Sequence, residues 1–139
     1  MGAPEDANRS KSSPRLPTVL IVDDNPDMLV QVGSYLAARG IRVVPSNAAL
    51  GVSSLVIRHR PEIVVLDVMM PALDGGSLAK LLLGLKSVPD MRIIFYSSMD
   101  EERLYELART TPRASYVLKS DGLAALYDAI STVLGDSRG

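Results

Sequence analysis

Asp23, Asp24, Asp67, Ser97 and Lys119 each stand where a strand-like run of residues stops. Thr18-Val19-Leu20-Ile21-Val22 runs into Asp23-Asp24, and Ile63-Val64-Val65-Leu66 into Asp67. Met91-Arg92-Ile93-Ile94-Phe95-Tyr96 runs into Ser97, and Ser115-Tyr116-Val117-Leu118 into Lys119. A carboxylate at the end of a buried strand costs free energy unless something pairs with it or uses it. Taken alone, Asp67 could equally cap the next turn. Gathered on one rim, three carboxylates repel one another and must protonate or recruit a cation. An oxygen-only donor set suits Mg²⁺, which takes one or two carboxylates, keeps waters and accepts phosphoryl oxygens. Lys119 adds a movable positive charge and Ser97 a hydroxyl donor, so the set could neutralise a phosphoryl group during transfer. Asp67, alone on its strand and opposite Lys119, is then the candidate nucleophile.

That chemistry requires the strand ends to share one edge. Between the apolar runs lie stretches with helical spacing. Pro26 to about Arg39 is preceded by Asn25 or Asp24 as a cap and stopped by Gly40, with Met28, Val32, Tyr35 and Leu36 facing the core. Further helices are expected over Ala48 to Arg60, Ser77 to Lys86, Asp100 to Thr110 and Gly122 to Leu134, the last capped by Ser120 or Asp121. Pro71 and Asp74-Gly75-Gly76 predict a loop after Asp67. Ile41-Arg42-Val43-Val44 reads as a short peripheral strand. Alternation of strand and helix predicts a single doubly wound, five-stranded parallel α/β sheet of order 2-1-3-4-5 with five helices. In such sheets ligands sit outside the carboxyl ends of the strands, with a crevice between the first and third.

Composition narrows the field. The chain has 139 residues, 47% hydrophobic and 22% charged, which suits one globular domain with a core. A net charge of −1 gives no basic footprint for nucleic acid. Cysteine is absent, which excludes disulfides and thiolate metal sites and is compatible with a reducing cytoplasm. No apolar run reaches transmembrane length. The first strand–helix turn, Asp23-Asp24-Asn25-Pro26, has no glycine cradle and would repel a bare phosphate, which disfavours a nucleotide or flavin site. The lone His59, at a helix end among arginines, reads as a solvated residue complementing the helix dipole. Residues 1–17 read as a disordered arm, 18–135 as the domain and 136–139 as a short polar tail.

Val22-Asp23-Asp24-Asn25-Pro26, Leu66-Asp67-Val68-Met69-Met70-Pro71 with Asp74-Gly75, Ser97, Tyr116 and Lys119 form a joint pattern. Over roughly residues 18–134 it resembles the response-regulator receiver domains of two-component signalling, which have a flavodoxin-like, chemotaxis-regulator-like fold. The resemblance implies a cytoplasmic phosphoprotein. It would be not an enzyme acting on other molecules but a phosphoacceptor that catalyses only its own phosphorylation and dephosphorylation. Asp67 would accept a phosphoryl group from a histidine of a sensor kinase or phosphotransfer protein. Asp24, Asp67 and the backbone carbonyl of Met69 would ligate Mg²⁺, with Asp23 acting through water. Ser97 would swing to the phosphoryl oxygen, Tyr116 would follow it inward, and Lys119 would pair with Asp67 and then with the phosphoryl group. A downstream protein of unspecified identity would read the change, with no direct contact to nucleic acid or membrane and a monomeric unphosphorylated state.

Several positions depart from the family pattern. Lys119-Ser120 replaces the usual Lys-Pro, for which a trans bond is expected, since a cis non-proline bond costs ~2.5–4 kcal/mol. Ser98 replaces a smaller residue beside the acceptor, and Thr111-Pro112 replaces Ala-Gly. Ala124, Ala125, Ala129 and Ser131 fill outward positions of the last helix that are often charged. Leu29 and Val30 lie off the core stripe of the first helix, beside the acidic end. Two other readings remain open: a pseudo-receiver acting as a phosphorylation-independent interaction module, and an aspartyl-nucleophile phosphatase. The second wants an acid two residues after its nucleophile, where this chain has Met69.

Overall fold

Thr18–Val22, Ile63–Leu66 and Arg92–Ser97 are short apolar runs buried along almost their whole length, so they fold as the interior of a parallel sheet rather than as hairpins. Arg42–Ser46 and Ala114–Leu118, at the two edges, are only partly buried. The computed structural model describes residues 16–70 and 74–138. Among these, the order is β1 (Thr18–Val22), α1 (Pro26–Ala37), β2 (Arg42–Ser46), α2 (Val52–His59), β3 (Ile63–Leu66), α3 (Gly75–Leu83), β4 (Arg92–Ser97), α4 (Glu101–Arg109), β5 (Ala114–Leu118) and α5 (Gly122–Arg138). The sheet is parallel throughout, with strand order β2-β1-β3-β4-β5, as the alternation predicts. No helix among the described residues is long and apolar enough to cross a membrane.

Successive strand residues point to opposite faces and build two cores. Val19, Ile21, Ile63, Val65 and Ile94 meet Val32 and Leu36 of α1 and Leu126 and Ile130 of α5. Leu20, Val22, Val64, Leu66, Ile93 and Phe95 meet Val52 and Val56 of α2, Leu78 and Leu82 of α3, and Leu104 of α4. The expected inward stripe of α1 holds: Val32 and Leu36 are fully buried, and Met28 and Tyr35 pack at the edge of the same core.

The structure differs from the sequence expectations chiefly at helix ends. α2 begins at Val52, not Ala48, because Gly51 takes a left-handed φ of 88° and interrupts the chain there. α3 begins at Gly75, not Ser77. Asp74 is its cap, accepting from the Gly76 and Ser77 amides at 3.0 and 3.3 Å, so a run that reads as loop starts a helix. α3 also stops at Leu83 rather than Lys86. The last helix is entered through a 3₁₀ turn, Lys119–Asp121, and a positive-φ Gly122, rather than through a simple Ser120 or Asp121 cap. It runs to Arg138, past Leu134 and into the expected polar tail. β2 continues through Pro45, which an edge strand tolerates. Of the expected arm, residues 1–15 lie outside the described residues. Pro17 is already tied to the sheet, its carbonyl accepting from the Arg42 amide at 2.8 Å. Pro71 also lies outside them.

Candidate phosphoacceptor site

The ladder runs one residue beyond two of the strands. Asp67 N–H donates to the Val22 carbonyl at 3.0 Å, and Asp23 N–H to the Ser46 carbonyl at 3.1 Å. Strand alternation therefore still governs these residues. Asp23 continues the Val19–Ile21 row and Asp67 the Ile63–Val65 row, on the α1/α5 side. Lys119 follows Val117 on that side too. Ser97 and Tyr116 fall on the opposite face with Phe95, beneath α4. The site is thus divided by the sheet: charges on one side, hydroxyls on the other.

On the charged side, Lys119 Nζ lies 2.7 Å from Asp23 Oδ2 and 3.1 Å from Asp67 Oδ2. The two carboxylates are nearly buried, and their remaining oxygens are engaged as well. Asp23 Oδ1 accepts from the Asn25 amide, and Asp67 Oδ1 from the Met69 amide, each at 3.0 Å. The sequence pattern placed Lys119 against Asp67; its shorter contact to Asp23 was not legible there. Burial alone would lower the Lys119 pKa. Hydrogen bonds to Asp23 and Asp67 and the charges of both outweigh it, so the net shift is upward and the ammonium stays charged.

Asp24 is exposed. One oxygen each from Asp23, Asp24 and Asp67 lie within 4.8 Å of one another. Three hard oxygen donors converging at a partly open rim fit a Mg²⁺ ion, and nothing in this set suits a softer metal. The trans bond expected between Lys119 and Ser120 is observed; no peptide among the described residues is cis.

On the hydroxyl side, Ser97 is fully buried and its Oγ accepts from the Met99 amide at 3.2 Å. Among the described residues no hydrogen bond joins Ser97 to Asp67 or to Tyr116. Tyr116 is half-buried, and its phenol donates to Glu101 Oε2 at 3.0 Å. That contact raises its pKa, with Glu101 as the first cause. Sequence reasoning missed Glu101, because nothing in a first-turn helical glutamate announces a partner fifteen residues on. Ser98 is exposed, and its hydroxyl meets the Met69 sulfur at 3.7 Å. Leu29 corrects an expectation: it is half-buried and packs on the α1/α5 core, while Val30 is 66% exposed. His59 ends α2, half-buried and away from the strand-end rim.

Comparison with known proteins agrees with this fold. The family model described as "response regulator receiver domain" matches residues 19–131. The heme response regulator HssR of Staphylococcus saprophyticus is 31% identical over 117 residues, covering 84% of this chain and 51% of that protein. The transcriptional regulatory protein RstA of Escherichia coli is 27% identical over 109 residues, covering 78% of this chain and 44% of that protein. This chain therefore spans about half the length of the curated relatives it matches. The crystal structure of the chemotaxis protein CheY4 of Vibrio cholerae superposes with a TM-score of 0.78 at 17% identity, covering 86% of this chain and 99% of that one.

Proposed function

Because the chain belongs to the response regulator receiver domain family of two-component signal transduction, we propose that it is a phospho-accepting switch with Asp67 as the acceptor. The observation that supports this most is the Lys119 ammonium held between Asp23 and Asp67 at 2.7 and 3.1 Å. A pseudo-receiver needs only the fold, and gains nothing from keeping two nearly buried carboxylates and a counter-charge together.

In the reaction we infer, an Asp67 carboxylate oxygen attacks the phosphorus of a phosphohistidine. A P–O bond forms, the P–N bond breaks, and the imidazole leaves with a proton. The donor is a sensor histidine kinase or a histidine phosphotransfer protein, in a cytoplasmic setting. Asp24, Asp67 and the Met69 carbonyl would hold Mg²⁺, with Asp23 alongside, and the ion would supply charge neutralisation for the phosphoryl oxygens. The Met69 amide fixes one Asp67 oxygen, which leaves the other as nucleophile. Lys119 already contacts that other oxygen, and only a short movement of its stem lets the ammonium follow negative charge onto the phosphoryl group. Ser97 would exchange its Met99 amide for a phosphoryl oxygen, and Tyr116 would then reorient beneath α4. A downstream protein would read that change.

Beryllofluoride, a phosphoryl mimic, tests the reading. With Mg²⁺ it should bind one equivalent and shift resonances of Ser97 and Tyr116, and Asp67→Asn should abolish both effects. A chain that takes up no beryllofluoride is a pseudo-receiver.

A further inference from the structure

One contact lies outside the acceptor chemistry yet touches its switching half. Tyr116 pairs with Phe95, and Ser97 with Leu118, so both side chains emerge on the α4 side of the sheet. Only Ser98, Met99 and Asp100 separate Ser97 from Glu101, the first residue of α4. At one end of this short link, Ser97 Oγ holds the Met99 amide. At the other, Glu101 Oε2 holds the Tyr116 phenol at 3.0 Å. The Tyr105 ring stands edge-on to Tyr116, 6.3 Å between centroids and 86° between planes, and braces the same outward position from within α4. A first-turn acid complements the helix dipole without any partner on a strand. Glu102 sits in the same turn with no such bond among the described residues, so the dipole alone does not explain where the Glu101 side chain goes.

We propose that Glu101 is a positioning residue: by accepting the Tyr116 phenol it latches the resting arrangement, and its release is coupled to the Ser97 hydroxyl through the three-residue link. The proposal rests on the functional reading above for what Ser97 does. When Ser97 turns towards a phosphoryl oxygen, the Met99 amide loses its acceptor and the link shifts. Glu101, anchored only through that link and its helix, moves relative to β5. The phenol is then free to leave its outward place. Without the latch, a larger share of molecules already occupies the switched arrangement, and labelling of Asp67 speeds up in proportion.

The test compares Glu101→Ala, Glu101→Gln and Tyr116→Phe with the wild type, in two measurements. The first is ¹⁹F NMR of the 3-fluorotyrosine-labelled, unphosphorylated protein, with Tyr116 assigned from Tyr116→Phe. Glu101→Ala should move the Tyr116 resonance, and Glu101→Gln, which keeps an acceptor, should largely restore it. An unmoved resonance in Glu101→Ala overturns the latch whether or not the protein is ever phosphorylated. The second is the rate of labelling by acetyl phosphate with Mg²⁺. Losing one net hydrogen bond should raise it about fivefold in Glu101→Ala, with Glu101→Gln near wild type. The Glu101→Ala, Tyr116→Phe double variant should gain no more than Glu101→Ala alone, since both remove one bond. A rate in Glu101→Ala at or below wild type overturns the coupling. A wild type that never labels fails the functional reading instead and leaves the ¹⁹F result to decide the latch.

Discussion

Lys119 holds two carboxylates, and that changes what a metal must do to enter. The ammonium already holds Oδ2 of Asp23 and of Asp67, and one oxygen from each of these carboxylates lies within 4.8 Å of an Asp24 oxygen. A divalent ion must displace it or share its partners, against like-charge repulsion. Lys119→Met should therefore bind Mg²⁺ roughly three- to tenfold more tightly than wild type, even as it weakens phosphorylation. Asp24→Ala, at an exposed position where the fold loses little, should bind it much more weakly. Calorimetric titration of both variants checks this pair of opposite signs, and Mg²⁺ affinity equal to wild type in Asp24→Ala would displace the site. Which polar groups come together at the candidate site was readable because each ends an apolar run. The pairing of Lys119 with Asp23 was not. Asp23 and Lys119 are 96 residues apart, and only the strand alternation of the folded sheet puts both on the α1/α5 side.

Elements were legible where burial sets them and less so where capping does. Both strand runs of the sheet's centre, Val19–Val22 and Ile63–Leu66, are fully apolar, and no alternative satisfies them. The start of α3 was misread because Asp74-Gly75-Gly76 has turn composition, yet the Asp74 carboxylate collects two amides and the Ser77 hydroxyl. Those bonds lower the Asp74 pKa, the Ser77 hydroxyl first. A depressed carboxylate contributes stability above its unfolded value of about 3.9 and loses it as pH falls through the folded value. Asp74→Ala should thus melt lower than wild type at pH 7, and the gap should close on acidification below about pH 4. Thermal unfolding at several pH values decides it, and a gap that stays constant with pH would mean the cap does not act through its charge. On α1, Val30 stands exposed beside the acidic rim and lines a shallow groove with Leu29, Gly33 and Val43. Changing Val30 to Ser should slow transfer from a cognate phosphohistidine donor while leaving acetyl phosphate labelling unaltered. Equal slowing of both would indicate damage to the fold rather than to docking.

At the scale of the whole molecule, the net charge of −1 and the composition of α5 bear on assembly. From Ser120 to Ser137 there is no Lys or Arg. Ala124 is exposed as the sequence suggests, but Ala125 and Ala129 are half-buried and pack on the α1/α5 core, so the helix's small residues are partly spent inward. A face missing one sign of charge cannot form reciprocal ion pairs along that helix. The beryllofluoride-bound protein should stay monomeric in light scattering at low and high salt. A dimer that dissociates as salt rises would locate the pairing charges elsewhere.

Asp67 is the proposed covalent acceptor, and intact-mass measurement after incubation with acetyl phosphate and Mg²⁺ tests that most directly. One phosphoryl group should add to the wild type and none to Asp67→Asn. A full adduct on Asp67→Asn, or a wild type that stays at its unmodified mass, would contradict it.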